Sequence, residues 1–69
     1  MEGLKEMRVQ RGFTQASLGA KVGVTQSVVA MWERGAVFPA AAKLPELADA
    51  LNCTIDALFG RVPPEDASA

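Results

Sequence analysis

The stretch TQSVVAMWERG, Thr25 to Gly35, gathers side chains suited to recognition by hydrogen bonding, with threonine, glutamine and serine at its start and arginine near its end. A second glutamine, Gln15, lies shortly before it. The groups that make and break covalent bonds are poorly supplied. There is no His and no Tyr, no Gly-rich phosphate loop, and no Ser or Cys beside an obvious base. The carboxylates are scattered rather than paired. No enzyme is expected from this inventory, and no cofactor or small-molecule substrate. Cys53 is the single cysteine, which excludes an internal disulfide, and without His no metal site is expected.

Those polar residues need a scaffold, and the chain can supply only a small one. With 69 residues it makes one domain, burying about 60% of its unfolded surface. Hydrophobic residues are 49% and charged residues 22%, an ordinary globular composition. No run approaches the roughly 18 apolar residues of a membrane span. The opening MEGLKEM lacks the pattern of a signal peptide, so a cytoplasmic protein without membrane partners is expected. The formal net charge is −1, but it is unevenly spread. Residues 1–43 carry Lys5, Arg8, Arg11, Lys21, Arg34 and Lys43 against Glu2, Glu6 and Glu33, a net +3. Residues 44–69 carry Arg61 against Glu46, Asp49, Asp56, Glu65 and Asp66, a net −4. A basic front can steer weakly toward phosphate, and ordinary solvated charges would give the same pattern.

Punctuation divides the chain into five short helical segments and no strand. Leu4, Met7, Arg8 and Arg11 recur at helical spacing on the first, which Gly12 stops. Thr14 is a good N-cap for the second, TQASLGAKV, where Leu18 and Val22 face inward. Gly23 suits the left-handed turn that ends it. Thr25 caps the third. At about 100° per residue, Val29 and Trp32 form its core side, and Ser27, Ala30, Met31 and Arg34 point the opposite way. The fourth carries the stripe Leu44, Leu47, Ala48 and Leu51. Pro45 there is tolerable only near a helix start, which places that start around 41–44. Asn52 is a left-handed stop, and Thr54 caps the last segment, IDALF, which Gly60 ends. RVPPEDASA, residues 61–69, has two prolines and no periodicity and reads as a C-terminal tail to a 1–60 domain.

Helix, Gly-containing turn and capped second helix form a helix-turn-helix signature. Gly19 fits it, because a bulky side chain there would hold the two helices apart; glycine inside a helix otherwise costs roughly 1 kcal/mol relative to Ala. RGFTQASLGAKVGVTQSVVAMWERG, then Pro39, then LPELADALNCTIDALF, resembles the phage-repressor type of DNA-binding domain, the lambda repressor/Cro-like or Xre group. The resemblance runs from about Leu4 to Phe59. It implies an all-α, compact five-helix fold with the helix-turn-helix at helices 2 and 3. It further implies a transcriptional regulator of the repressor kind that binds double-stranded DNA at a palindromic operator as a homodimer. The third helix, 25–34, would enter the major groove.

The resemblance also implies roles by position. Gln15 would hydrogen-bond a backbone phosphate and buttress the recognition helix. Thr25 would cap that helix and touch phosphate. Gln26 and Ser27 match positions that reach base edges, and a Gln can pair bidentately with adenine. Met31 occupies another base-facing position, where a polar residue is commoner; Met could only pack, for example on a thymine methyl, or form a small protein contact. Val28 faces either base methyls or the core edge. Arg34 and Lys43 would meet phosphates or remain solvated. Arg8, on the apolar face of the first helix, needs a partner, and Glu33 at the core-side edge of the third is the candidate for a structural ion pair.

A second reading remains open, a protein-interaction or antitoxin-like module using Ala30, Met31, Val37 and Phe38 as an apolar patch. A dimer is expected through the last two helices, with Leu58, Phe59 and the surroundings of Cys53 in its interface. So short a chain leaves no room for a ligand domain, and regulation is expected through abundance, proteolysis or a partner.

Overall fold

A computed structural model describes residues 1–60; the expected tail lies outside the described residues. Five helices follow one another: α1 (Leu4–Gln10), α2 (Gln15–Val22), α3 (Gln26–Arg34), α4 (Lys43–Leu51) and α5 (Ile55–Leu58). The described residues contain no strand, and none of their helices is long and apolar enough to cross a membrane.

Local chemistry sets the starts of three helices. Thr14, Thr25 and Thr54 are extended N-caps whose hydroxyls accept from the backbone N–H groups of Ser17, Val28 and Ala57. At α2 the cap is reciprocal, because Ser17 Oγ accepts from Thr14 N at 2.9 Å. The turn between α2 and α3 depends on two glycines. Gly23 adopts φ 79°, in the left-handed region. Gly19 lies where a Cβ would come 2.6 Å from the Val24 carbonyl oxygen, so only glycine lets α3 approach α2 this closely. Asn52, the left-handed stop after α4, has φ 51°.

One core forms where the five helices meet. Leu4, Leu18, Val29, Leu47, Leu51 and Leu58 are fully buried, with Trp32 and Val22 beside them. α2 packs on α3 and α4, and α5 closes the bundle against α1 and α4. Leu58 is thus a core residue, and the expected dimer surface built on it must be corrected. Its side chain has no exposed area to offer a second molecule. The other expected contributors, Cys53 and Phe59, are half-buried against the same core.

Two contacts at the start of the chain were not visible in the spacing of residues. Met1 is buried, and its amino group donates to the Trp32 carbonyl at 3.0 Å. Gly3 N donates to Leu58 O at 3.0 Å, and a Cβ on Gly3 would fall 1.8 Å from the Ala57 carbonyl oxygen. This tight approach seats α5 on the start of α1.

Candidate nucleic-acid interface

α2 and α3 bring Gln15, Thr25, Gln26 and Ser27 to one edge of the molecule. Gln15 and Gln26 are the first residues of their helices. The capped turn joins the C-terminus of α2 to the N-terminus of α3, and the two glutamine side chains meet across the helix pair. Gln26 Nε2 donates to Gln15 Oε1 at 2.6 Å. Thr25, Gln26 and Ser27 are exposed, while Gln15 is half-buried beneath them. Helix N-termini present unpaired N–H groups and a partial positive charge, so this edge suits an anionic ligand.

Behind the glutamines lies a polar chain that reaches the core. Gln15 Nε2 donates to Glu33 Oε1 at 3.0 Å. Glu33 Oε2 in turn accepts from Arg8 Nε at 2.6 Å, with side-chain exposures of only 11% for Arg8 and 6% for Glu33. Arg8 Nη1 donates to the Phe13 carbonyl at 2.8 Å and Arg8 Nη2 to Glu33 Oε1 at 3.5 Å. The structure therefore joins Arg8 and Glu33 as the sequence led one to expect. The link from Glu33 to Gln15 was missed. No local signal carries it, because the bond depends on how α2 docks on α3. Among the described residues no buried side-chain nitrogen or oxygen lacks a hydrogen-bond partner.

The remaining candidates separate into two groups. Val28 is half-buried and packs against the core, as its borderline position allowed. Ala30 and Met31 are half-buried on the outward side, away from Val29 and Trp32. Arg34 is exposed at the far end of α3. Lys43 is already engaged. Its Nζ donates to the Val22 carbonyl at 2.7 Å and lies 2.8 Å from Glu46 Oε2, so it caps the C-terminus of α2 and keeps one N–H of three for anything else. Arg11 does the same for α4, donating from Nε to Leu51 O at 2.7 Å and from Nη2 to Asn52 O at 3.3 Å. Nothing in the spacing of residues pointed to either cap.

Away from this edge, Phe38 is 67% exposed in the loop after α3 and stacks on Phe59 at 6.5 Å between ring centroids. Val37 and Ile55 are also exposed, at 42% and 40%. The Cys53 thiol has its pKa raised by burial, an effect that the nearby Arg11 partly offsets. The described residues hold no group of three or more His, Cys, Asp or Glu placed to bind a metal ion.

Comparison with known proteins gives the same picture from three directions. The helix-turn-helix family model matches residues 4–58. An uncharacterized HTH-type transcriptional regulator, YazB of Bacillus subtilis (strain 168), is 34% identical over 62 residues, which is 90% of this chain and 86% of that protein. Among solved structures, the P22 c2 repressor protein in complex with synthetic operator 9T superposes with a TM-score of 0.77 at 35% identity, covering 83% of this chain and 86% of the repressor chain. A transcriptional regulator from Listeria innocua superposes with a TM-score of 0.75 at 28% identity, covering 97% of this chain and 64% of that one.

Proposed function

This chain belongs to the lambda repressor/Cro-like helix-turn-helix family, and from that footing we propose that it is a DNA-binding transcriptional regulator that reads its operator with α3. The observation that carries this reading is the Gln15–Gln26 couple, a side-chain bond between the first residues of α2 and α3. There Gln26 and Ser27 meet base edges in the major groove. Gln15 and Thr25 hold phosphates, and Arg34 takes a phosphate near the other end of the helix. Met31 adds an apolar contact, such as one to a thymine methyl. Lys43 acts first as a cap and secondarily on phosphate.

The regulator acts as a repressor in the cytoplasm, on a palindromic operator and as a homodimer. Two α3 helices then lie about 34 Å apart to enter successive major grooves. Since Leu58 is committed to the core, the dimer surface falls instead on the exposed Val37, Phe38 and Ile55 with the half-buried Phe59. The P22 c2 repressor, a solved relative held on an operator, supports the DNA reading at 35% identity over most of both chains.

The test is a polarisation titration against a randomised duplex pool, repeated at several salt concentrations. Salt-dependent binding with recovery of a preferred sequence is the expected result. A protein-interaction module is the second reading, and the observation in its favour is the exposed Phe38 and Val37. Absence of binding to any duplex would favour that module.

A further inference from the structure

We infer that Glu33 sets which base edge Gln26 can read, acting through the amide of Gln15. The inference rests on the reading that Gln26 meets a base edge, and it assigns Glu33 a positioning role that its partnership with Arg8 does not require.

The reasoning follows hydrogen-bond polarity along the chain of side chains. A carboxylate has only acceptors, so the Gln15 atom facing Glu33 must be the NH2 donor. That leaves the Gln15 carbonyl oxygen to face α3, and the Gln26 atom opposite it must again be an NH2. Each amide thus has one permitted orientation, dictated from the buried end. One Gln26 N–H is consumed by Gln15. The other N–H and both lone pairs of Oε1 remain for the groove. An adjacent donor and acceptor match the adenine edge, which offers an acceptor at N7 and a donor at N6. A free glutamine amide would gain nothing from one orientation over the other. Here a charge in the core side of α3, held by Arg8, makes the choice.

Replacing Glu33 by Gln should invert the series. Arg8 donates to the Oε2 position at 2.6 Å and to the Oε1 position only at 3.5 Å, so a glutamine there turns its oxygen to the closer donor, Nε, and its NH2 toward Gln15. Gln15 then presents its NH2 to Gln26, and Gln26 spends an oxygen lone pair instead of a hydrogen. Both N–H groups of Gln26 are left for the groove, a pattern suited to the two acceptors of guanine, N7 and O6.

The experiment measures base preference rather than affinity alone. Duplexes recovered from a randomised pool by the wild-type protein are varied one base pair at a time, and binding is measured for wild type, Gln26→Ala, Glu33→Gln and Arg8→Lys. Gln26→Ala identifies the base pair that Gln26 reads; if it alters preference at no position, the DNA reading of Gln26 fails and this inference with it. At the identified pair, Glu33→Gln should lower the preference for A·T by roughly fivefold or more, with any new preference going to G·C. Arg8→Lys weakens the same ion pair but keeps the carboxylate, and should retain the A·T preference. Wild-type preference in Glu33→Gln, or equal loss in Arg8→Lys, overturns the inference. Should Glu33→Gln fail to fold by circular dichroism, Gln15→Leu interrupts the chain while sparing the ion pair. It should lose the preference likewise, and retention would overturn the inference.

Discussion

Arg8 and Glu33 are 25 residues apart in sequence, yet Arg8 Nε lies 2.6 Å from Glu33 Oε2 in a place almost closed to water. The pair ties α1 to α3, and removing one member strands the other charge. Glu33→Ala should therefore lower stability by about 3–5 kcal/mol. Urea unfolding followed by circular dichroism measures this directly. A midpoint equal to that of wild type would mean that water satisfies Arg8 once its partner is gone.

Gly19→Ala isolates the close approach of α2 to the turn. Alanine is worth roughly 1 kcal/mol over glycine inside a helix. The added methyl would meet the backbone oxygen of Val24 at 2.6 Å, and backbone cannot swing aside as a side chain can. A net destabilisation of about 1–3 kcal/mol is expected, with a weaker grip on DNA because Thr25 and Gln26 shift with the turn. A stabilised variant would show that the two helices can part without cost.

Much of this architecture was legible in the chain because its signals are local. A threonine followed by a helical stripe, or a glycine or asparagine placed to turn left-handed, settles an element within a few residues. This is why Thr14, Gly23, Thr25, Asn52 and Thr54 could all be placed. The α3 core side was equally readable, since Val29 and Trp32 repeat at helical spacing. Leu58 was misread because a helix of four residues has too few positions for periodicity to say which face turns inward. The Lys43 cap escaped notice because it depends on where a carbonyl 21 residues away comes to rest. The same holds for the Glu33–Gln15 bond, 18 residues apart, whose existence only the docking of α2 on α3 reveals.

Lys43→Met tests the cap. With the Val22 carbonyl deprived of its donor, stability should fall by about 1 kcal/mol. The slope of DNA affinity against salt should change by less than the roughly one unit expected for loss of a full phosphate contact. A change of one unit with stability intact would make Lys43 chiefly a phosphate ligand.

The Cys53 thiol should be slow to alkylate. Burial raises its pKa, so less of the reactive thiolate is present at pH 8 in the folded chain than in the unfolded one. A thiol whose folded pKa is raised contributes stability below its unfolded pKa, and that contribution is lost as pH rises through the folded value. Iodoacetamide should therefore label native protein several-fold more slowly than protein in urea. Equal rates would place the sulfur in open solvent.

The decisive measurement compares Gln26→Ala with Arg34→Ala on a selected duplex and on random DNA across a range of salt. Gln26 stands at the N-terminus of α3, beside Gln15, and Arg34 at its opposite end. Gln26→Ala should cost roughly 1–3 kcal/mol on the selected duplex and little on random DNA, so that the two affinities converge. Arg34→Ala should weaken both duplexes about equally and reduce the salt slope by about one unit. If neither substitution changes affinity for any duplex, α3 is not the reading element and the proposed function is wrong.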